Sequence, residues 1–134
     1  MRPAYKAVLD AFVAAWGSTT PIALGNESID EPGAPWVRIS MTENTSEQLT
    51  IGSTGNKIFE RRASVRVQIF VPTDRGDGAL LDLQQQARNV FEGKSVTVAG
   101  EPLSFFKVDA DRGADEPHLI VGVVEAQCRY QERK

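Results

Sequence analysis

The stretch "ASVRVQIFV" alternates apolar and polar side chains and predicts one long strand. The positions that would share one face are Ala63, Val65, Val67, Ile69 and Val71. The positions of the other face are Ser64, Arg66, Gln68 and Phe70. Because successive side chains of a strand point to opposite faces, the pattern indicates a sheet with one buried face, and Pro72 ends the strand. Other elements of the chain must cover that face.

Two segments with helical periodicity are available for this covering layer. The first is "PAYKAVLDAFVAAWG", which ends at Gly17, and its apolar side chains recur at helical spacing: Tyr5, Val8, Leu9, Phe12, Val13 and Trp16. The second is "ALLDLQQQARNVFEG", with Asp77 as the predicted cap and Gly93 after its end. Its apolar stripe consists of Leu80, Leu83, Ala87, Val90 and Phe91.

The remaining segments predict further strands. Val37, Ile39 and Met41 alternate with polar residues, and residues 43–60 predict a flexible hairpin arm around a glycine-rich tip. The segment "SVTVAGEPLSFFKVD" predicts two strands joined by a Gly100-Glu101-Pro102 turn, and "HLIVGVVEAQCRY" predicts a last strand. We therefore expect residues 1–134 to form a single α+β domain, a mainly antiparallel sheet packed by two helices, with an extended β-hairpin arm.

Composition limits the classes of function. A chain of 134 residues with 41% hydrophobic and 25% charged residues is typical of a soluble globular domain. No apolar run approaches the roughly 18 residues that span a bilayer, so no membrane partner is expected. The net charge of −3 disfavours a dedicated nucleic-acid binder. The single cysteine excludes an internal disulfide framework.

No motif with catalytic spacing is apparent. The segment "DADRGAD" resembles a calcium loop, but its glycine is fifth and its twelfth residue is Ile120, so an acidic turn between strands is preferred. The segment "GSTGNK" lacks the spacing of a phosphate-binding loop. His118 and Cys128 would lie roughly 33 Å apart along one strand, too far apart for thiol catalysis. We therefore expect no enzyme, no metal and no cofactor.

The alternative to a structural protein is a small α+β ligand-binding or regulatory module. Such a module would have a pocket lined by Trp16, Trp36 and Phe105, since aromatic rings can stack on a ligand. Packing anchors are the commoner role for tryptophans in these positions.

Two segments carry opposite charge. Lys57, Arg61, Arg62 and Arg66 make one segment net positive, and Asp109, Asp111, Asp115 and Glu116 make another net negative. Most charge runs simply face water. The sharper interpretation is that the two segments are complementary between copies of the chain and fix their orientation in an assembly.

The order of these segments resembles the tail terminator and minor tail proteins of long-tailed bacteriophages. The resemblance is carried by the short first helix, "TPIALGNE" followed by "PWVRISM", "GSTGNKIFERRASVRVQIFVP", "TDRGDGA" before a helix ending "NVFEGK", and a last strand near the end of the chain. The resemblance implies a structural virion protein of a phage or prophage rather than an enzyme. Such proteins form a ring, commonly a hexamer, that caps the tail tube, ends its polymerisation and meets head-completion proteins.

The resemblance also implies where the protein acts and what it binds. It would be found in the virion tail, and in the host bacterial cytoplasm during assembly. Its partners would be copies of itself, the tail tube protein and a head-completion protein. The hairpin arm could pair along an exposed strand edge of a neighbour. The residues predicted at the contact between subunits are Leu49, Ile51, Lys57, Glu60, Arg61, Arg62, Asp109, Asp111 and Asp115.

Overall fold

The computed structural model describes residues 2–24, 34–52, 55 and 57–133. Within these residues, six strands form one sheet in the order β1-β2-β3-β6-β5-β4. Among these six described strands, β1 and β2 pair in parallel and every other neighbouring pair is antiparallel. The strands are β1 (Ile22–Leu24), β2 (Trp36–Gln48), β3 (Ile58–Pro72), β4 (Ser95–Val98), β5 (Glu101–Arg112) and β6 (Leu119–Arg133).

Two helices of the described chain, α1 (Arg2–Trp16) and α2 (Gly76–Phe91), pack on one face of the sheet. Phe12 of α1 stacks on Phe91 of α2 with ring centroids 5.9 Å apart, and both side chains are fully buried. Neither helix is long and apolar enough to cross a membrane. The α+β single-domain fold predicted from the sequence is therefore confirmed.

The alternation in β3 orients the sheet as predicted. The apolar side chains that alternate along β3, from Ala63 to Val71, are completely buried beneath the helices, whereas Arg66 is exposed on the opposite face. Phe70 on that opposite face is also buried, because the Trp36 ring stacks on it at 4.1 Å. We call the helix-covered face the inner face and the other the outer face.

Helix α2 lies unusually close to the middle of the sheet. A Cβ atom at Gly122 of β6 would come within 2.7 Å of the Leu80 and Gln84 side chains, so a larger residue there would require these side chains to shift. Gln84 is buried, and its Nε2 atom donates a 2.8 Å hydrogen bond to the carbonyl oxygen of Asp111 in β5. This bond fixes the helix to the β5–β6 pair. It satisfies an amide that would be costly to bury alone.

Three local predictions were wrong. Asp77 does not cap α2, because the residue preceding the helix is Arg75 and no side-chain hydrogen bond caps it. The β4–β5 turn is formed by Ala99 and Gly100, both at positive φ, so Glu101 already belongs to β5. This two-residue geometry is favoured in hairpins because its twist matches that of the strands.

The third correction concerns the acidic segment. Asp109 and Asp111 lie inside β5, paired with Glu125 and Val123 of β6, instead of in a turn. Asp115 does lie in the connection between β5 and β6. Strand β5 continues through the aspartates because Val108 and Ala110, which alternate with them, pack against the core.

The predicted arm is the end of a long β2–β3 hairpin. The two strands pair from Trp36–Phe70 to Gln48–Phe59, with a bulge between Glu43 and Thr45. Strand β3 also pairs with β6 as far as Arg133, so this end of the sheet contains three strands. Ser53, Thr54 and Asn56 of the predicted flexible tip lie outside the described residues, and the flexibility of residues 43–60 stays a prediction.

Candidate assembly surface

Among the described residues, each of the two outermost long strands, β2 and β5, has a stretch of edge without a neighbouring strand. Strand β1 covers β2 only from Val37 to Ile39, so Ser40–Gln48 has no strand on that side within the described residues. Strand β4 covers β5 only from Glu101 to Ser104. Lys107–Arg112 is likewise without a neighbouring strand there. Free edges present unpaired main-chain donors and acceptors, which can pair with another chain.

Two predicted contact residues expose apolar surface near the hairpin end. Leu49 follows β2, and its N–H donates to the carbonyl oxygen of Ile58 at 2.8 Å, while its side chain is 45% exposed. Ile51 is 99% exposed. Lys57, which precedes β3, is half-buried. The hairpin end therefore presents an apolar tip, formed by the exposed Leu49 and Ile51 side chains, and the backbone of Leu49 is paired with Ile58.

Arg61 makes its contacts inside its own chain. Its Nε atom donates to Glu132 at 3.1 Å, its Nη1 atom lies 4.0 Å from Glu43, and the same nitrogen donates to the Ser46 hydroxyl. The guanidinium carbon lies 5.3 Å from the centre of the Phe59 ring. Only 15% of the Arg61 side chain is exposed. These contacts bind β2, β3 and β6 together at the hairpin end.

Arg62 points to the outer face and is half exposed. Its Nε atom lies 3.6 Å from Glu60, and its guanidinium lies 5.8 Å from the centre of the Phe106 ring. Arg129 approaches the same ring at 5.7 Å. Phe106 sits at a bulge in β5 and is 44% exposed. An exposed aromatic ring between two arginines is a surface feature that the sequence analysis missed. The Phe105-Phe106 doublet, which breaks the alternation of the strand, was the signal for it.

The acidic residues lie near one basic residue of the predicted positive segment. Arg66, Asp109, Asp111 and Arg112 line one shallow depression on the outer face. Arg66 is seven residues from Phe59 along β3, so this depression is about 23 Å from the hairpin end. The structure thus brings Arg66 to the aspartates and keeps Leu49, Ile51 and Arg61 away from them.

Asp115 is held by local contacts. Its Oδ1 atom accepts from the Nε of Arg112 at 3.5 Å and from the N–H of Val121 at 3.3 Å. The Nη1 of Arg112 also donates to Asp77 at 3.2 Å. The hydrogen bond that Arg112 donates to Asp115, followed by the negative charges of Asp115 and Asp77, raises the pKa of the Arg112 guanidinium. Part of the acidic charge is therefore neutralised within the chain.

The three-aromatic pocket predicted for a ligand-binding module does not form. Trp16 and Phe105 line a groove of about 470 Å³ between the helices and β4, but Trp36 lies on the outer face against Phe70. Lys94 is the charged residue of the groove lining. Among the described residues, no three His, Cys, Asp or Glu side chains are grouped so that they could hold a metal ion.

Comparison with protein families identifies the chain. A family described as "Phage tail terminator protein" matches residues 2–118, which is most of the sequence. The chain belongs to the phage tail terminator family. The matched region ends immediately before β6, the strand that joins β3 to β5 in the centre of the sheet. As a tail terminator family member, the protein is a structural component of a phage tail.

Structural comparison supports the fold of this tail terminator chain. One solved structure covers 95% of this chain and 95% of its own, with a TM-score of 0.70 at 12% sequence identity. At that identity the likeness shows a shared fold alone. No curated protein matches the sequence. The tail assignment therefore depends on the family match.

Proposed function

We propose that this protein forms a ring at the end of the tail tube, ends tube polymerisation and joins the tail to head-completion proteins. The family match over residues 2–118 is the observation that carries the proposal. The ring consists of copies of this chain, commonly six in the family. It contacts the tail tube protein on one side and a head-completion protein on the other. It assembles in the host bacterial cytoplasm and remains in the virion tail.

A closed ring needs two different contact surfaces on each subunit, because every subunit meets its neighbours through a head-to-tail contact. The hairpin end and the β5 edge are suitable for these roles. In this proposal the hairpin end contributes Leu49, Ile51, Lys57, Glu60 and Arg62, and the β5 side contributes Asp109, Asp111 and Asp115. Arg61 shapes the hairpin end through its internal contacts. Opposite charge on the two surfaces would orient the subunits.

The apolar tip is the main source of affinity in this proposal. Burying one isoleucine side chain contributes about 2 kcal/mol, and Ile51 is almost fully exposed in the single chain. The contact recurs at every subunit boundary of a ring. Exposed charged pairs contribute about 0–1 kcal/mol each, so they affect orientation more than affinity.

The proposal is tested with a Leu49→Ser, Ile51→Ser double variant. We expect it to unfold like the wild type but to lose ring mass in light scattering, with association weakened at least about tenfold by the lost apolar burial. Leu81→Ser is the matched control, because Leu81 is 63% exposed on α2, away from the hairpin.

Function is measured with tail tubes grown from purified tail tube protein. Wild-type protein and the Leu81→Ser control should bind tube ends and stop elongation, whereas the double variant should allow tubes to grow on. Uncontrolled tube growth in the presence of wild-type protein would refute the terminator role. Ring mass and tube capping equal to wild type in the double variant would refute the role of the tip.

A further inference from the structure

The directions of the strands determine how a neighbouring copy could approach a free edge. Strands β2, β3, β6 and β5 alternate in direction, so β2 and β5 run in opposite directions. Rotation about an axis along the strands preserves these directions. In a ring whose axis runs along the strands, the β5 edge of one copy would therefore meet the β2 edge of the next as an antiparallel pair. Such pairs can extend a sheet from one chain into another.

On each of the two edges, alternate residues point their N–H groups away from the sheet, and these residues can be identified. On β2, the N–H of Val37 points away from β3 and donates to Pro21 at 3.1 Å, so alternation also points the N–H of Met41 outward. On β5, the N–H of Gly113 donates to Val121 of β6 at 2.9 Å. The same alternation points the N–H groups of Val108 and Ala110 outward.

The side chains at these outward positions also lie on the same face. Met41, Val108 and Ala110 all belong to the inner face, where they are only partly buried and pack at the margin of the core. Their neighbours Thr42, Lys107 and Asp109 are polar and exposed on the outer face. Two residues that face each other in an antiparallel pair have their side chains on the same face of the sheet. Joining the edges would therefore place the apolar side chains of both copies together on the inner face and the polar side chains together on the outer face.

We propose that the free edge of β2 pairs with the free edge of β5 of a second copy, so that one sheet runs continuously from subunit to subunit. This inference rests on the proposed ring and specifies the main-chain contact that builds it. The bulges at Glu43/Thr45 and Phe105/Lys107 limit the regular edges to Ser40–Glu43 and Lys107–Arg112. Irregular edges of this kind also restrain indiscriminate pairing of the free protein.

The test is disulfide formation between variants that each carry one introduced cysteine. One protein carries Thr42→Cys, and the second carries Lys107→Cys, Asp109→Cys or Asp111→Cys, three outer-face positions that cover the alternative registers. The native Cys128 is fully buried and does not compete. Mixing the two proteins under mild oxidation should give a disulfide-linked dimer in at least one combination, whereas each protein alone should give none.

The control is Lys6→Cys, an exposed position on α1, mixed with Thr42→Cys. We expect at least a tenfold lower dimer yield from this mixture at every protein concentration. Dimer yields no higher than the control in all three combinations would overturn the edge pairing. Equal self-linking of Thr42→Cys would overturn it as well, since it would indicate a β2–β2 contact.

The outcomes separate this inference from the proposed function. If the protein forms rings in light scattering and caps tubes but no disulfide dimers form, the terminator role is supported and the continuous sheet is refuted. Disulfide dimers in a protein that neither closes into rings nor caps tubes would support the edge pairing and refute the terminator role. A double variant that combines Thr42→Cys with the successful partner cysteine should link into a ladder that ends at the size of one ring.

Discussion

At the scale of single residues, Arg61 and Arg62 are neighbours in sequence with different roles. Arg61 is held by Glu132, Glu43 and the Ser46 hydroxyl, and 15% of its side chain is exposed. Arg62 is half exposed and forms an ion pair with Glu60. The sequence placed both arginines in one positive segment. Their charge alone does not show which of them has acidic partners within its own chain.

We predict that Arg61→Glu lowers the free energy of unfolding by about 2–3 kcal/mol, because it removes charge-assisted hydrogen bonds and places like charges together. Arg62→Glu should cost less than about 1 kcal/mol, since exposed ion pairs contribute little. Urea unfolding followed by circular dichroism measures both. Equal losses in the two variants would contradict this difference between the residues.

Cys128 gives a pH dependence that can be isolated. Burial raises the pKa of its thiol from 9.0 to about 11. The unfolded chain therefore loses this proton at lower pH than the folded protein does. Its contribution to stability is complete below pH 9 and declines as the pH rises towards 11.

We predict that the free energy of unfolding falls by about 2 kcal/mol more in the wild type than in Cys128→Ala when the pH rises from about 8 to about 10.5. Other groups that titrate in this range are present in both proteins and largely cancel in the difference. Tyr130 cancels less completely, because its pKa is raised mainly by burial but also by the charge of Cys128. Parallel pH profiles for the two proteins would show that the thiol ionises as easily in the folded state.

At the scale of elements, alternation predicted β3 well because its inner face is completely apolar. The same reasoning ended β5 too early, since Asp109 and Asp111 were assigned to a turn on their charge. Those aspartates face water, while Val108 and Ala110, which alternate with them, pack at the core margin. Buried Gln84 was invisible to a search for apolar stripes, because its burial depends on a carbonyl oxygen supplied by β5.

The candidate contact surface was predictable only in part. The sequence named Leu49 and Ile51 as predicted contact residues, and the structure shows that both side chains are exposed. The free edges of β2 and β5 did not, because strand order is set by packing between distant segments. The internal pairing of Arg61 also required the position of β6, which supplies Glu132.

Two adjacent proline substitutions test the β5 edge. Val108→Pro removes an N–H that points away from β6, so we expect the fold to persist with a loss of less than about 1.5 kcal/mol, as edge strands tolerate proline. Asp109→Pro removes an N–H of the β5–β6 ladder and should cost about 3 kcal/mol or more. If the edge pairs between copies, Val108→Pro should also abolish the Thr42→Cys disulfide dimers.

Thermal unfolding and cross-linking yield are measured on the same preparations. A folded Val108→Pro variant that still gives wild-type yields of cross-linked dimer would indicate that the N–H groups of this edge take no part in assembly. A Val108→Pro variant as unstable as Asp109→Pro would show that the edge N–H is already used inside the chain.

At the scale of the whole molecule, the helices cover one face of the sheet and leave charge on the other. Much of that charge is compensated nearby: Arg112 is within hydrogen-bonding distance of Asp77 and Asp115, and Arg66 shares a depression with Asp109. Because these opposite charges are paired within the chain, the long-range electrostatic attraction between two copies is small. Main-chain pairing and apolar burial then contribute more to association than charge does.

This balance predicts how association responds to salt. Raising sodium chloride from about 0.05 to about 0.5 M shortens the screening length from more than about 10 Å to a few ångströms, which would remove attraction between separated charges. We expect the association constant to change by less than about threefold, since hydrogen bonds along strand edges and buried apolar contacts are little screened. Sedimentation velocity over a concentration series at each salt concentration measures the association constant.

Arg62→Glu serves as the control, because it changes an exposed charge near the hairpin end and should mainly alter the association rate. A tenfold or greater loss of association in the wild type would show that opposite charge on the two surfaces holds the ring together.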